Sequence, residues 1–126
     1  MTDAPRWFTD ALAVQPEQSF VEVAGTPINV FDWGTAGKPG LVFVHGGAAH
    51  ARWWSHLAPK FTHRYHVIAL DLSGHGDSGR REVYSHDLWA DEIVAVSEAA
   101  GFDGPPVVVG HSLGGLAAIH TAADNL

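Results

Sequence analysis

The sequence predicts an α/β fold, with a mostly parallel central sheet, flanking helices and an antiparallel hairpin at the N-terminal side. Three short apolar runs predict buried strands, at residues 41–44, 66–70 and 106–109. Helical patterns lie between these runs, and strands that alternate with helices favour parallel pairing through right-handed crossovers. Two segments of alternating polarity come before the first run and predict the hairpin.

The N-terminal elements are short. Residues 1–19 are interpreted as a lead-in segment, because Pro, Asp and Gln surround only a small apolar patch there. The hairpin strands are expected at residues 20–23 and 28–34, joined by a turn that contains Gly25 and Pro27. One face of this hairpin is apolar and is expected to pack on the core.

Helical spacing of apolar residues predicts helices at residues 52–61 and 85–100. In the second helix the apolar positions run from Leu88 to Ala99, and acidic residues lie outside that stripe. Gly101 follows this helix where a C-terminal glycine is expected. An alanine-rich helix is expected to begin after Ser112. The three apolar strands are then expected to be covered on both faces.

Composition restricts the class of protein. The chain has 126 residues, the length of one domain, with seven basic and 14 acidic residues and no cysteine. A formal charge of −7 and the lack of a long basic run predict no nucleic-acid partner. No stretch approaches about 18 apolar residues, so no membrane partner is expected. Without cysteines or a leader pattern, a cytoplasmic location is expected.

A serine lies in the pattern Gly110-His111-Ser112-Leu113-Gly114, between a valine run and a helical pattern. Such a pattern is typical of a nucleophile elbow, a turn so tight that the residues two before and two after the serine must be small. Ser112 is therefore the candidate nucleophile. Because the turn also starts a helix, the backbone N–H of Leu113 is expected to be a free donor where an oxyanion would form.

A second candidate oxyanion donor lies in the loop after the first apolar strand. This loop begins His45-Gly46-Gly47, and consecutive glycines let a bare backbone N–H approach a substrate oxygen. Gly47 is the candidate donor, and the alternative is an ordinary glycine turn. The loops that follow parallel strands meet at one edge of the sheet, so this loop and the elbow are expected to converge.

Other kinds of site are weaker candidates. Residues 74–79 match G-x-G-x-x-G, but no apolar helix follows and no acidic strand end lies about 20 residues on, so nucleotide binding is disfavoured. The nine histidines match no zincin pattern, and we expect no metal and no cofactor. His111 is a poor general base for Ser112 because neighbours on a sharp turn point apart. His75, in a facing loop, is the least implausible substitute.

On these residues the chain resembles the N-terminal half of small esterase-like members of the α/β-hydrolase superfamily, over residues 20–126. Three stretches carry the resemblance: His45–Gly46, Asp71–Gly79 and Gly110–Gly115. The resemblance implies a serine esterase with Ser112 as nucleophile and the amides of Gly47 and Leu113 as oxyanion hole. A serine at 112 argues against the epoxide hydrolase and haloalkane dehalogenase branches. Ser73 stands where many relatives carry arginine, a departure expected to affect loop packing.

The same resemblance places a triad acid and then a triad histidine after the nucleophile, yet only residues 113–126 follow Ser112. Residues 1–126 are therefore interpreted as the N-terminal part of a single domain, a truncated α/β-hydrolase fold without its last strands, cap and triad acid and base. Such a chain is expected to be nearly inert alone. Its expected partners are a small ester-like substrate and either a complementary C-terminal fragment or a second copy, paired through the exposed edge of the strand at 107–109.

Two questions stay open at this level. The alternative function is a non-catalytic fragment that binds a small ligand or self-associates. The substrate is not identified, and Trp53 and Trp54 fit a substrate pocket or the core equally well.

Overall fold

The computed structural model describes residues 3–125 as a five-stranded sheet with helices on its faces. Along the chain the elements are α1 (Arg6–Ala13), β1 (Glu17–Val23), β2 (Thr26–Gly34), β3 (Gly40–Val44), two 3₁₀ turns (Ala51–Trp54 and Ala58–Phe61), β4 (His66–Leu70), α2 (His86–Ala99), β5 (Val107–Gly110) and α3 (Leu113–Asp124). The predicted α/β class is confirmed. Strand β1 takes in the last residues of the expected lead-in segment, because it begins at Glu17.

The strand order is β1-β2-β4-β3-β5. β1 and β2 form the expected antiparallel hairpin, and β2 also pairs antiparallel with β4. β3 is parallel to both β4 and β5, with Val42 opposite Ile68 on one side and Val108 on the other. The carboxyl ends of the three parallel strands therefore lie at one edge of the sheet, where their loops meet.

The sheet separates two apolar layers. Strand side chains alternate between its faces, so Val42 and Val44 pack with α2 and α3, while Leu41 and Phe43 pack against the 3₁₀ turns. Leu70 and Ile68 join the first layer, both fully buried. Within residues 3–125, no helix is both long and apolar enough to cross a membrane.

Helix α2 has the ends expected from its sequence. The Ser85 side chain accepts a hydrogen bond from the Leu88 amide at 3.1 Å, which caps the N-terminus. Gly101 follows the helix with φ +74°, a left-handed conformation that glycine adopts without cost.

The helix expected at residues 52–61 is wrong. Two 3₁₀ turns occupy this segment, held by hydrogen bonds such as Ser55 to the Arg52 carbonyl and Leu57 to the Trp54 carbonyl. Pro59 accounts for the break, because it has no N–H for the carbonyl four residues earlier and its ring obstructs a continuous α-helix.

Strand β5 forms the edge of the described sheet, as expected. It is not covered on both faces, however, because Val107 and Val109 are 49% and 38% exposed. Their side chains emerge on the face where Phe43 lies, beyond the reach of the 3₁₀ turns. On the adjacent helix α3, Leu116 and Ile119 are 50% and 66% exposed. The free edge of β5 and these four exposed side chains, which lie on both sides of the sheet, are together called the β5 flank.

A buried ion pair joins the loop after β4 to helix α2. Glu92 is fully buried, and its carboxylate accepts from the Ser73 amide at 2.7 Å and from Arg81 at 3.1 Å. The Arg81 guanidinium also donates to the Val23 carbonyl at 2.8 Å, at the end of β1. Arg81 Nε lies 3.2 Å from the Ser73 hydroxyl. Ser73 is the position at which the resemblance implies an arginine, so Arg81 places a guanidinium next to that position.

We predict that Arg81→Met lowers the free energy of unfolding by about 3–5 kcal/mol, because it leaves the Glu92 carboxylate buried without its cation. Urea titration followed by tryptophan fluorescence measures the change. The matched control is Arg80→Met, since Arg80 is exposed and, within residues 3–125, donates only to the Gly74 carbonyl; it should cost under about 1 kcal/mol. Equal losses in the two variants would contradict a special role for the buried pair.

Candidate active site

Ser112 occupies the turn between β5 and α3. Its backbone has φ +54° and ψ −113°, a left-handed conformation that a non-glycine residue adopts only under constraint. The residue is exposed, and its hydroxyl does not cap α3, although serine is a preferred N-cap. Within residues 3–125 the Oγ atom has no hydrogen-bond partner. The hydroxyl is therefore presented to solvent at the end of the sheet.

Two glycines make this turn sterically feasible. A Cβ atom on Gly110 would collide with the backbone of Gly114, and one on Gly114 would collide with the carbonyl oxygens of Val44 and His45. The start of α3 thus lies directly on the carboxyl end of β3. Hydrogen bonds from His111 N to Val44 O at 3.0 Å and from Gly114 N to His111 O at 2.9 Å close the turn.

The loop after β3 packs against the elbow. A Cβ atom on Gly46 would lie 2.9 Å from His111 Nδ1 and 3.5 Å from Ser112 Cβ, and one on Gly47 would lie 3.7 Å from Leu113 Cδ2. The structure thus brings the three sequence-predicted site residues, Ser112, Gly47 and Leu113, to one place. Neither the Gly47 amide nor the Leu113 amide has an acceptor among the residues that the structure describes.

His45 fixes the orientation of this loop. Its side chain is fully buried, with Nδ1 donating to the Gly46 carbonyl at 2.7 Å and Nε2 accepting from the Leu72 amide at 3.0 Å. The Gly46 carbonyl also accepts from Ala49 N at 3.1 Å. Because C=O and N–H of one trans peptide point in opposite directions, holding the Gly46 carbonyl inward directs the Gly47 amide outward.

Burial lowers the pKa of His45, and the neighbouring His75 ring, 4.8 Å away between centroids, acts in the same direction. The hydrogen bond to Gly46 opposes these effects. A neutral imidazole protonated on Nδ1 fits both of its hydrogen bonds. His45 thus joins the loops after β3 and β4 as a neutral link.

The loop after β4 is organised around a buried carboxylate. Asp71 accepts from the Ala51 amide at 2.6 Å, from Asn29 Nδ2 at 2.9 Å and from the Asp77 amide at 2.9 Å. Its carboxylate fills the space that a Cβ atom of Gly76 would need. A phosphate would have to replace this internal anion, so the geometry gives the G-x-G-x-x-G match at residues 74–79 a structural role.

Sequence reasoning did not identify His45 and Asp71 as organising residues. Both follow a buried strand directly, at the edge of the sheet where the loops meet, and that position was the available signal.

The sequence predicts that His111 is a poor general base for Ser112 and that His75 is the least implausible substitute, and both rings contact other residues. The His111 ring stacks on Trp53, and the His75 Nδ1 atom lies 3.1 Å from the Ser73 carbonyl oxygen. His120 pairs with Asp87 at 3.7 Å. Within residues 3–125, no histidine forms a hydrogen bond with Ser112 and no group of three His, Asp or Glu side chains is placed to hold a metal ion.

The structure resolves the question about the two tryptophans. Trp54 is 7% exposed and stacks on Phe43, so it belongs to the core. Trp53 is 54% exposed and lies over His111, next to the elbow.

Among the described residues, one cavity lies near the site and a second lies at the far end of the sheet. The smaller, about 160 Å³, adjoins the loops after β3 and β4 and is lined by His50, Arg52, Asp71, Gly76 and Asp77. The larger, about 520 Å³, lies between α2, α3 and the start of β5. Because it includes Pro106 before β5 and Asn125 after α3, it lies at the opposite end of the strand from Ser112.

A mixed sheet whose last described strand turns at an exposed serine into a helix is the arrangement of the α/β hydrolases. The chain belongs to this family: the model of the alpha/beta hydrolase family matches residues 41–126. Protein phosphatase methylesterase 1 of Bos taurus is 36% identical over 111 residues, covering 83% of this chain and 29% of that protein.

Lipase LipV of Mycobacterium tuberculosis is 36% identical over 96 residues, covering 76% of this chain and 36% of that protein. The crystal structure of a membrane phospholipase A, a bacterial virulence factor, matches with a TM-score of 0.83 and 30% identity, covering 93% of this chain and 38% of that chain. These relatives are hydrolases, and the chain spans about a third of the length of the curated relatives it matches.

We predict that Gly114→Ala destabilises the fold by at least about 2 kcal/mol, because the new methyl group would meet the backbone of β3 and neither side can give way. The matched control is the adjacent Gly115→Ala, where the added Cβ would lie 3.5 Å from the Gly110 carbonyl oxygen. That substitution should be neutral or stabilising by up to about 1 kcal/mol, since alanine favours the helix. Thermal unfolding of the two variants gives the comparison.

A second prediction concerns pH. Since burial lowers the pKa of His45, the folded state keeps the ring neutral where the unfolded chain, with a pKa near 6.5, takes up a proton. The stabilisation of the folded state by the neutral His45 ring is complete above about pH 6.5. It is lost as the pH falls from there through the folded-state pKa. Urea midpoints measured from pH 7.5 to 5 should therefore fall more steeply in wild type than in His45→Gln. Parallel curves would contradict the assignment.

Proposed function

We propose that this chain carries the nucleophile and the oxyanion hole of a serine hydrolase that acts on ester-like substrates. Ser112 is the nucleophile in this proposal, and its attack on an ester carbonyl transfers the acyl group to the enzyme and then to water. The observation that carries the proposal is the strained, exposed Ser112 backbone, since such strain persists where a structure requires it for function. The methylesterase and lipase relatives support ester chemistry.

The amides of Gly47 and Leu113 form the oxyanion hole in this proposal. Gly47 lies against the Leu113 side chain, and its peptide is oriented by the His45 link. The Leu113 amide is at the N-terminus of α3, where the helix dipole favours negative charge. Two fixed donors beside the nucleophile stabilise the tetrahedral intermediate without reorganisation.

The general base and its acid are contributed from outside residues 3–125, either by further chain in cis or by a second chain. The histidines described above are committed to other contacts, and the relatives extend well beyond the matched region. The β5 flank is where such a portion would join, because an unpaired strand edge and four exposed apolar side chains favour the addition of a strand.

A second candidate function is a non-catalytic role, in which the fragment binds a small ligand or associates with itself. The exposed β5 flank is the observation that favours it. This role would not need the Ser112 hydroxyl.

The test is covalent labelling of Ser112 by an alkyl fluorophosphonate, read by mass spectrometry. We expect labelling in the protein at its natural length, and much slower labelling of residues 1–126 alone, because removing the base from a serine hydrolase costs on the order of 10⁶ in rate. Ser112→Ala should remove both labelling and ester hydrolysis.

The control is Ser97→Ala, since Ser97 lies on α2 and donates to the Ile93 carbonyl. Sedimentation of the same samples shows whether the reactive form is a monomer or an assembly. Ester hydrolysis or binding that survives Ser112→Ala unchanged would favour the non-catalytic role and exclude Ser112 as nucleophile.

A further inference from the structure

We propose that Trp53 and His111 form an aromatic platform beside Ser112 that binds a planar ring of the substrate, so that esters carrying an aromatic group are preferred. The inference rests on the proposed function, because it assigns the substrate class of the same site. It goes beyond that function by naming the side chains that select the substrate.

The 3₁₀ turn after β3 directs its two tryptophans to opposite sides. The Trp53 amide donates to the His50 carbonyl at 3.1 Å, which closes the turn. Trp54 then stacks on Phe43 in the core, with ring centroids 4.7 Å apart and planes at 19°. The Trp53 indole, 54% exposed, adds little to that core. A single exposed side chain is common on a protein surface, but this indole stacks on His111, the residue before the candidate nucleophile.

The platform joins two of the loops that build the site. The Trp53 and His111 rings lie nearly parallel, with centroids 6.1 Å apart and planes at 22°. His111 immediately precedes Ser112, and a Cβ atom on Gly46 would lie 2.9 Å from its Nδ1 atom. The position of the platform is therefore set by the same backbone contacts that place the nucleophile.

The geometry favours a planar ring over a saturated one. A planar ring can stack, with an offset, on this near-parallel pair. The stacking free energy then adds to the free energy gained by removing apolar surface from water. A saturated ring of similar size gains only the free energy of removing its apolar surface from water. The nearby cation does not select for acidic substrates, because Arg52 pairs with Asp77 at 3.7 Å and lies over the Phe31 ring.

The kinetic test uses the protein at its natural length with ethyl phenylacetate and ethyl cyclohexylacetate, which differ only in the ring. Trp53→Ala should lower kcat/KM for the phenyl ester about tenfold and for the cyclohexyl ester by much less. Trp53→Phe should keep most of the wild-type preference in kcat/KM for the phenyl ester over the cyclohexyl ester. The matched control is Trp7→Ala, since Trp7 is similarly exposed, at 46%, but lies on α1; it should change neither value.

A binding test gives an answer independent of turnover. The Ser112→Ala protein is labelled with 5-fluorotryptophan, and the Trp53 signal is assigned by its loss in Trp53→Phe. Ethyl phenylacetate should shift the Trp53 fluorine resonance and leave that of Trp54 unmoved, while the cyclohexyl ester should shift it less.

The outcomes separate the two proposals. A Trp53 signal that does not move with the phenyl ester, or equal kinetic losses for the two esters, would overturn the platform while hydrolysis and Ser112 labelling still support the proposed function. If Ser112 is unreactive and no ester is hydrolysed, the proposed function fails and so does the ester preference. The fluorine signal alone then decides whether the two rings bind an aromatic group.

Discussion

The site depends on a contact between backbones, the approach of the start of α3 to the carboxyl end of β3. Gly114 lies so close to the carbonyls of Val44 and His45 that no side chain fits between them. This contact forces the reversal at Ser112 and brings the loop after β3 against the elbow. The Ser112 hydroxyl and the two candidate donor amides are therefore positioned by the main chain and not by flexible side chains.

A network of buried polar groups supports this contact. His45 joins the loops after β3 and β4, Asp71 gathers three donors at the centre of the second loop, and the Arg81–Glu92 pair ties that loop to α2. Burying any of these polar groups alone would cost free energy. Their hydrogen bonds and the ion pair offset this cost. The apolar layers decide that the sheet forms, whereas this network decides where its loops lie.

Local patterns in the sequence were sufficient for the strands, the hairpin and helix α2, because each depends on neighbours within a few residues. The glycine spacing located the elbow, whereas its shape also depends on the distant contact with β3. The segment 52–61 was predicted incorrectly, since 3₁₀ turns and α-helices both place apolar residues three or four positions apart. Distinguishing Trp53 from Trp54 also failed, because the choice depends on Phe43 and His111 in other elements. The roles of His45, Asp71 and Arg81 depend on partners far along the chain and could not be derived from spacing.

The edge strand β5 has a consequence for handling the protein. Val107–Gly110 contains no charge, and the two prolines before it lie outside the paired segment. Natural edge strands are usually blunted by a lysine, a proline or a bulge, and this one has none of these within the strand. Residues 1–126 are therefore expected to aggregate edge to edge wherever this edge of β5 is left unpaired.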